Sequence, residues 1–322
     1  MLPDRTETDN PSPAQDNPRG CCYPLPMRYA LSSAVVFVLS LAIPHRAGAD
    51  KADAHYKSGV ALKQQGKDDE AIKEFEAAVA ARQTHGMGWN SLGILYKKKG
   101  QFEKAIQAFE TAVKLMPKEA SVHANLGMTY FRAGRDDDAI RALEAACRLE
   151  PNNVEVQSNL GTIKRKKGDI EGAVRHLKWA AKLKPDDSDI ANNLGVALRH
   201  AKRDDDAITA FKRAVELKGD SGELHFNLAT VYRRKEMVDE AIAEYKQAVY
   251  FTPTLADAWY DLGIMYRANH DNDLAVEAFR KYLELTKGKD STADQRVKDD
   301  IKALGGEVDA PSRETPKKKK PR

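Results

Sequence analysis

Apolar residues recur along this chain with a constant period, and that period sets the elements it predicts. Gly59, Gly93, Gly127, Gly161, Gly195, Ala229 and Gly263 are spaced by 34 with no insertion. Taking that residue as position 8 places seven repeats at 52–85, 86–119, 120–153, 154–187, 188–221, 222–255 and 256–289. Position 20 is alanine in all seven, from Ala71 to Ala275, and position 24 is always bulky, from Phe75 to Phe279. Positions 4, 7, 8 and 11 make the i, i+3, i+4, i+7 stripe of a first helix, and positions 20, 24, 27 and 28 that of a second. Glycine at position 15 (Gly66, Gly100, Gly134, Gly168) ends the first helix. Acidic runs such as Asp136-Asp137-Asp138 and Asp204-Asp205-Asp206 open the second, where the helix dipole favours negative charge. These runs lack the spacing and closing glutamate of a calcium loop.

Departures fall at the ends. The first repeat has His55 and Ser58 in place of large apolar residues, as a solvent-facing cap would. Val297, Ile301 and Leu304 share one stripe of a further helix that Gly305-Gly306 stops, so residues 290–306 predict a capping helix. Residues 307–322 read as a disordered basic tail.

The second repeat holds Trp89, Leu92, Gly93, Tyr96, Ala105, Phe109, Ala112 and Pro117, and in these residues it resembles the tetratricopeptide repeat. The resemblance covers residues 52–289. It implies an all-α fold, a right-handed superhelical solenoid of seven helix-turn-helix repeats whose first helices line a concave groove.

Opposite the apolar stripe, positions 2, 5, 6, 9 and 13 of the first helix would face that groove. Position 6 is Asn125, Asn159, Asn193 and Asn227 in four successive repeats, with Ser91 before and Asp261 after. Asn90 and Asn192 stand beside this row at position 5. Position 2 is acidic in Glu155, Asp189, Glu223 and Asp257, and position 9 is mostly apolar (Ile94, Met128, Val196, Ile264). Positions 12 and 13 hold ten Lys or Arg among fourteen residues and no acid, including Lys97, Lys98, Arg132, Arg165, Lys166, Arg199, Arg233, Arg234 and Arg267. The expected groove therefore has an acidic edge, an apolar floor studded with asparagine and a basic edge. An asparagine amide offers both a donor and an acceptor, as a peptide bond requires. The row resembles the asparagine ladder of O-linked N-acetylglucosamine transferase repeats, which implies that these residues hold the main chain of an extended peptide, centred on repeats three to six. Against this stand two plainer readings: duplication copying an exposed asparagine, and cations complementing the dipole of a helix's last turn. The chaperone-binding clamp of this family needs Lys at position 5 and Asn at position 9 of one repeat, and no repeat has that pair.

Composition narrows the function. The chain has 322 residues, 42% hydrophobic and 31% charged, enough for a substantial core. Only positions 290–322 follow the last repeat, and no G-x-S-x-G, P-loop or H-E-x-x-H sequence occurs, so neither an enzyme nor a cofactor or small-molecule substrate is expected. His55, His123 and His225 all occupy position 4 of non-adjacent repeats, where packing is expected and a shared metal is not. Residues 50–310 carry 42 basic and 43 acidic residues, a poor match to nucleic acid. Lys317 to Lys320 offer the tail a weak contact with anionic envelope components.

Residues 29–43 form an apolar run of 15, shorter than a spanning helix needs, preceded by Met27-Arg28 and followed by Ala47 and Ala49 before Asp50. That layout is a signal peptide over 27–49 cleaved before Asp50, with Met27 as the expected start and residues 1–26 a mis-annotated or disordered extension. A periplasmic or otherwise exported location follows; an uncleaved, inner-membrane anchor is the alternative. Cleavage would leave Cys147 alone, so packing, not a disulfide, holds the fold. The expected function is a protein-interaction scaffold for extended peptide segments within an envelope assembly. A substrate-presenting adaptor for a separate enzyme is the alternative.

Overall fold

A computed structural model of the protein describes residues 44–287 and 291–308. The expected N-terminal extension, the apolar run and the tail beyond residue 308 lie outside them. Every regular element among the described residues is an α-helix, and the chain divides into two compact units, ending at Pro151 and beginning at Asn152. The first unit holds α1 (Pro44–Gln64), α2 (Asp68–Ala81), α3 (Gly86–Lys98), α4 (Phe102–Leu115), α5 (Ala120–Arg132) and α6 (Asp136–Leu149). The second holds α7 (Val154–Lys166), α8 (Ile170–Leu183), α9 (Ser188–His200), α10 (Asp204–Leu217), α11 (Gly222–Arg234), α12 (Val238–Phe251), α13 (Ala256–Ala268), α14 (Asn272–Thr286) and α15 (Ser291–Ala303). No described helix is long and apolar enough to cross a membrane. Ala47, Ala49 and Asp50 fall inside α1, which begins at Pro44, ahead of the expected first repeat at position 52.

Small and large residues alternate across each helix pair. The seven alanines at position 20 and the seven bulky residues at position 24 are all 0% exposed, so neither position can accept a larger side chain without displacing a helix. A Cβ added at Gly93 would sit 2.7 Å from the Phe109 ring, which is why position 8 stays small.

The apolar face of each first helix is wider than its sequence stripe. Position 3 (Val122, Val156, Ile190, Leu224) and position 10 (Leu95, Thr129, Ile163, Val231) are buried as well. Within each unit a second helix packs against its own first helix and against the first helix of the next repeat. A first helix thus has two neighbours to cover, and one stripe does not reach both.

Hydrogen bonds at the edges of this core explain residues that look out of place. Trp89 Nε1 and Trp259 Nε1 each donate at 2.9 Å to the carbonyl six residues earlier, of Gln83 and Pro253. His123 Nε2 lies 3.0 Å from the Pro117 carbonyl and His225 Nε2 lies 3.1 Å from that of Gly219, in the same register. Histidine at position 4 therefore does more than pack: its ring nitrogen reaches the inter-repeat turn as the tryptophan's does. In the fifth repeat, where position 4 is Ala191, Arg213 reaches the equivalent Pro185 carbonyl at 3.3 Å. His225 Nδ1 also lies 2.6 Å from Glu244 Oε2. Burial pulls the His225 pKa down, but Glu244 and the Gly219 carbonyl outweigh it and leave it raised. Between repeats, Tyr96 donates to Glu76 at 2.5 Å and Tyr130 to Glu110 at 2.6 Å; burial and these carboxylates push both phenols up to about 12.

Position 15 takes up a left-handed backbone at the end of each first helix. Gly66, Gly100, Gly134 and Gly168 sit at φ values from +73° to +86°, conformations that glycine adopts without strain. In the last three repeats the same turn is made by Lys202, Glu236 and His270 at φ 60–62°, a strained choice for side chains with a Cβ.

Candidate peptide-binding face

The expected ligand residues all lie on first helices, and burial separates them from the core. Glu155, Asp189, Glu223 and Asp257 at position 2 are exposed. Asn125, Asn159, Asn193 and Asn227 are half-buried, as are Ile94, Met128, Val196 and Ile264 at position 9. Asn125 belongs to the first unit; Asn159, Asn193 and Asn227 belong to the second.

Asparagine and basic positions do not form separate zones. Lys97 Nζ donates to Asn125 Oδ1 at 3.2 Å, and Arg233 Nη1 donates to Asp261 Oδ1 at 2.5 Å. In both pairs a position-12 cation leans over position 6 of the following repeat. The same register sets Arg165 opposite Asn193 and Arg199 opposite Asn227. The expected basic edge is thus two rows with different roles, because position 12 points along the asparagine row while position 13 turns behind it.

Position 13 is engaged in joining repeats. Lys98 Nζ lies 2.5 Å from Asp68 Oδ2, and Arg234 grips Asp204 with Nε at 2.8 Å and Nη2 on the other oxygen. Lys99 and Lys235 at position 14 pair with Asp69 and Asp205. Lys98 and Arg234, expected to meet a ligand, instead hold the first helix of one repeat to the start of the second helix of the repeat before it. The sequence carries a signal for this that the single-repeat period conceals. Acidic pairs stand at 68–69, 136–137 and 204–205, and basic pairs at 98–99, 166–167 and 234–235, so each set recurs at every second repeat.

The remaining candidates scatter. Arg132 and Lys166 are exposed, and Arg267 Nη1 donates to Asp300 of α15 at 2.8 Å, tying the last repeat to its capping helix. Asn227 Nδ2 donates to Asn192 Oδ1 at 3.0 Å, while Asn159 and Asn193 make no side-chain hydrogen bond among the described residues. The Asn90 Oδ1 atom is buried without a partner among them. Asp261, where the row ends, is buried and also accepts from Tyr245 Oη at 3.1 Å. Burial raises its pKa, and Arg233 and Tyr245 offset this only in part. The face can therefore offer amide donors and acceptors at Asn159 and Asn193 and guanidinium donors at Arg165 and Arg199. Among the described residues no three His, Cys, Asp or Glu side chains group as metal ligands.

Comparison with known families bears on the fold that carries this face. Residues 30–252, well over half of the chain, match the family described as Cilia and flagella-associated protein 70 C-terminal domain, and residues 226–290 match the tetratricopeptide repeat family. The chain is a tetratricopeptide-repeat protein. No curated relative matches it by sequence. A crystal structure of MamA is 28% identical with a TM-score of 0.50, covering 53% of this tetratricopeptide-repeat chain and 93% of that one. The C-terminal part of a repeat-containing protein from Cytophaga hutchinsonii is 18% identical with a TM-score of 0.63, covering 74% and 98%. YrrB, described as a tetratricopeptide-repeat protein with an unusual peptide-binding site, is 21% identical with a TM-score of 0.52, covering 60% and 99%. At these last two identities the likeness is one of fold.

Proposed function

We propose that this protein is a non-enzymatic interaction scaffold that binds extended peptide segments on the first-helix face of its second unit. The observation carrying this reading is the row of half-buried asparagines, of which Asn159 and Asn193 keep their amides uncommitted, Asn193 in register with Arg165. A core position would be apolar, and three of the four asparagines follow a position-12 cation of the preceding repeat by 28 residues, Lys97 before Asn125, Arg165 before Asn193 and Arg199 before Asn227. Peptide amides satisfy such a row without regard to side-chain identity.

The test is selection of phage-displayed peptides on the full chain, beside a variant carrying Asn159→Ala, Asn193→Ala and Asn227→Ala, with circular dichroism to establish that the variant is folded. Enrichment of peptides by the wild type and at least ten-fold weaker binding by the variant is the expected result. Equal enrichment by both would remove the face from the reading.

The proposed setting is the cell envelope, supported by the apolar run 29–43 and the small residues Ala47 and Ala49. N-terminal sequencing of the mature protein tests it, with Asp50 the expected first residue and an intact Met27 or Met1 the contrary one. Cross-linked capture from whole cells would then separate an assembly scaffold from an adaptor that travels with one stoichiometric enzyme.

A further inference from the structure

Not every cation on the first helices of repeats four and five is matched by a carboxylate. At the seams of repeats one and two, and of five and six, an Asp at position 17 neutralises the cation at position 13, in the pairs Asp68–Lys98 and Asp204–Arg234. At the seam of repeats four and five, position 17 is Ile170 and position 13 is His200, and at that of repeats two and three they are Phe102 and Arg132, so position 17 supplies no carboxylate at either. The position-12 row behaves likewise. Arg233 has Asp261 and Arg267 has Asp300, whereas Arg165 and Arg199 have no hydrogen-bond or ion-pair partner for their guanidinium groups among the described residues.

These cations are close together. Arg234 Nη1 donates to the Arg199 backbone carbonyl at 3.0 Å, which brings its guanidinium against α9. Burial, then the charges of Arg234 and Arg165, lowers the Arg199 pKa, and burial with Arg165, Arg199 and Arg234 lowers that of His200. No carboxylate contributes to either group. Half-burying the Arg199 guanidinium near Arg165, with no carboxylate on either, is unfavourable unless an anion completes the site.

We infer that Arg165 and Arg199 form a carboxylate-binding subsite on the first-helix face of α7 and α9, with the Asn193 amide in register beside Arg165. This rests on the peptide-binding reading and adds a specificity to it: an aspartate, a glutamate or a free C-terminus of the bound segment should occupy this point. Planar guanidinium groups suit a carboxylate, which two of them can grip with parallel hydrogen bonds. The position differs from the clamp built on Lys at position 5 and Asn at position 9, which this chain lacks.

The test uses the full chain and a positional-scanning nonapeptide library, synthesised once with free C-termini and once as C-terminal amides. Acidic residues should be enriched at least ten-fold over Asn and Gln at one peptide position; if only the free-acid library shows the gain, the carboxylate is the terminal one. Arg165→Gln with Arg199→Gln should abolish the preference, and Lys235→Gln, at an exposed seam pair, should leave it. Ile170→Asp supplies the missing seam carboxylate without touching either arginine, and should reduce the preference several-fold. Peptide binding with no acidic preference, or a preference surviving the double variant, would overturn the subsite and leave the peptide-binding reading standing. Should no peptide bind, that reading falls, and the subsite is judged by the arginine Nε–H signals in an NMR titration with N-acetylglutamate N-methylamide. Saturable shifts at Arg165 and Arg199, absent with N-acetylglutamine N-methylamide, are expected; no shift, or a stronger response to inorganic phosphate, would overturn it.

Discussion

Breaking the Asp204–Arg234 pair should loosen the stack without touching ligand binding directly, and its size can be worked from the structure. Arg234 meets Asp204 through two hydrogen bonds, with side chains 39% and 22% exposed. A surface pair contributes about 0.2–1 kcal/mol, and a two-point, partly shielded guanidinium–carboxylate contact lies at or above the top of that range. We expect a coupling of about 1 kcal/mol in a double-mutant cycle of Asp204→Asn and Arg234→Gln. Asp204→Asn alone should cost about 1.5 kcal/mol, since Asp204 also opens α10, where a first-turn carboxylate adds about 0.5 kcal/mol. The neighbouring Asp205–Lys235 pair, with Asp205 84% exposed, should couple by less than about 0.5 kcal/mol. Urea unfolding followed by circular dichroism is the assay, because guanidinium salts would screen the interaction being measured. A coupling below about 0.3 kcal/mol for Asp204–Arg234, or one no larger than that for Asp205–Lys235, would refute the assignment of position 13 to inter-repeat stacking.

Three further outcomes follow from single residues. Glu236 holds φ 60° where four other repeats use glycine, so Glu236→Gly should raise stability by about 0.5–1 kcal/mol, the relief of a left-handed residue less the added chain entropy, read as a higher urea midpoint. Asp261 has a raised pKa, so its neutral form is the better tolerated one in the fold; wild type should therefore lose stability relative to Asp261→Asn as pH rises from below the ordinary Asp value of about 3.9 through the raised one. His225 is raised by Glu244 and the Gly219 carbonyl against the opposing effect of burial, so its contribution should be complete below about pH 6.5 and decline as pH climbs through its folded value. Parallel melting curves of wild type and His225→Phe across that range would check the last, with a pH-independent difference as the contrary result.

Much of this architecture was legible because the sequence repeats itself. Seven alanines at position 20 against seven bulky residues at position 24 already state that two helices meet closely, and in the structure all fourteen are fully buried. Positions 3 and 10 were not legible in that way, since a single-helix stripe takes no account of the second helix that each first helix must cover. Nor was the division of the basic row: Lys98 and Arg233 sit on the last turn of the first helix in their respective repeats, yet one reaches back to Asp68 and the other forward to Asp261. They stand one position apart, 13 against 12, and that step of about 100° round the helix turns one side chain backward and the other forward. The two-repeat alternation of acidic and basic pairs was in the sequence throughout, and a comparison of alternate repeats in place of adjacent ones would have exposed it.

The most direct measurement is an N-methyl scan of the best peptide selected on the full chain, read by fluorescence anisotropy. If the Asn159, Asn193 and Asn227 amides hold a peptide main chain, methylating the contacted nitrogens should weaken binding at least ten-fold. The triple alanine variant should then be nearly indifferent to the same methylations. Equal sensitivity in the two proteins, or none in either, would mean that the asparagine row does not grip a backbone.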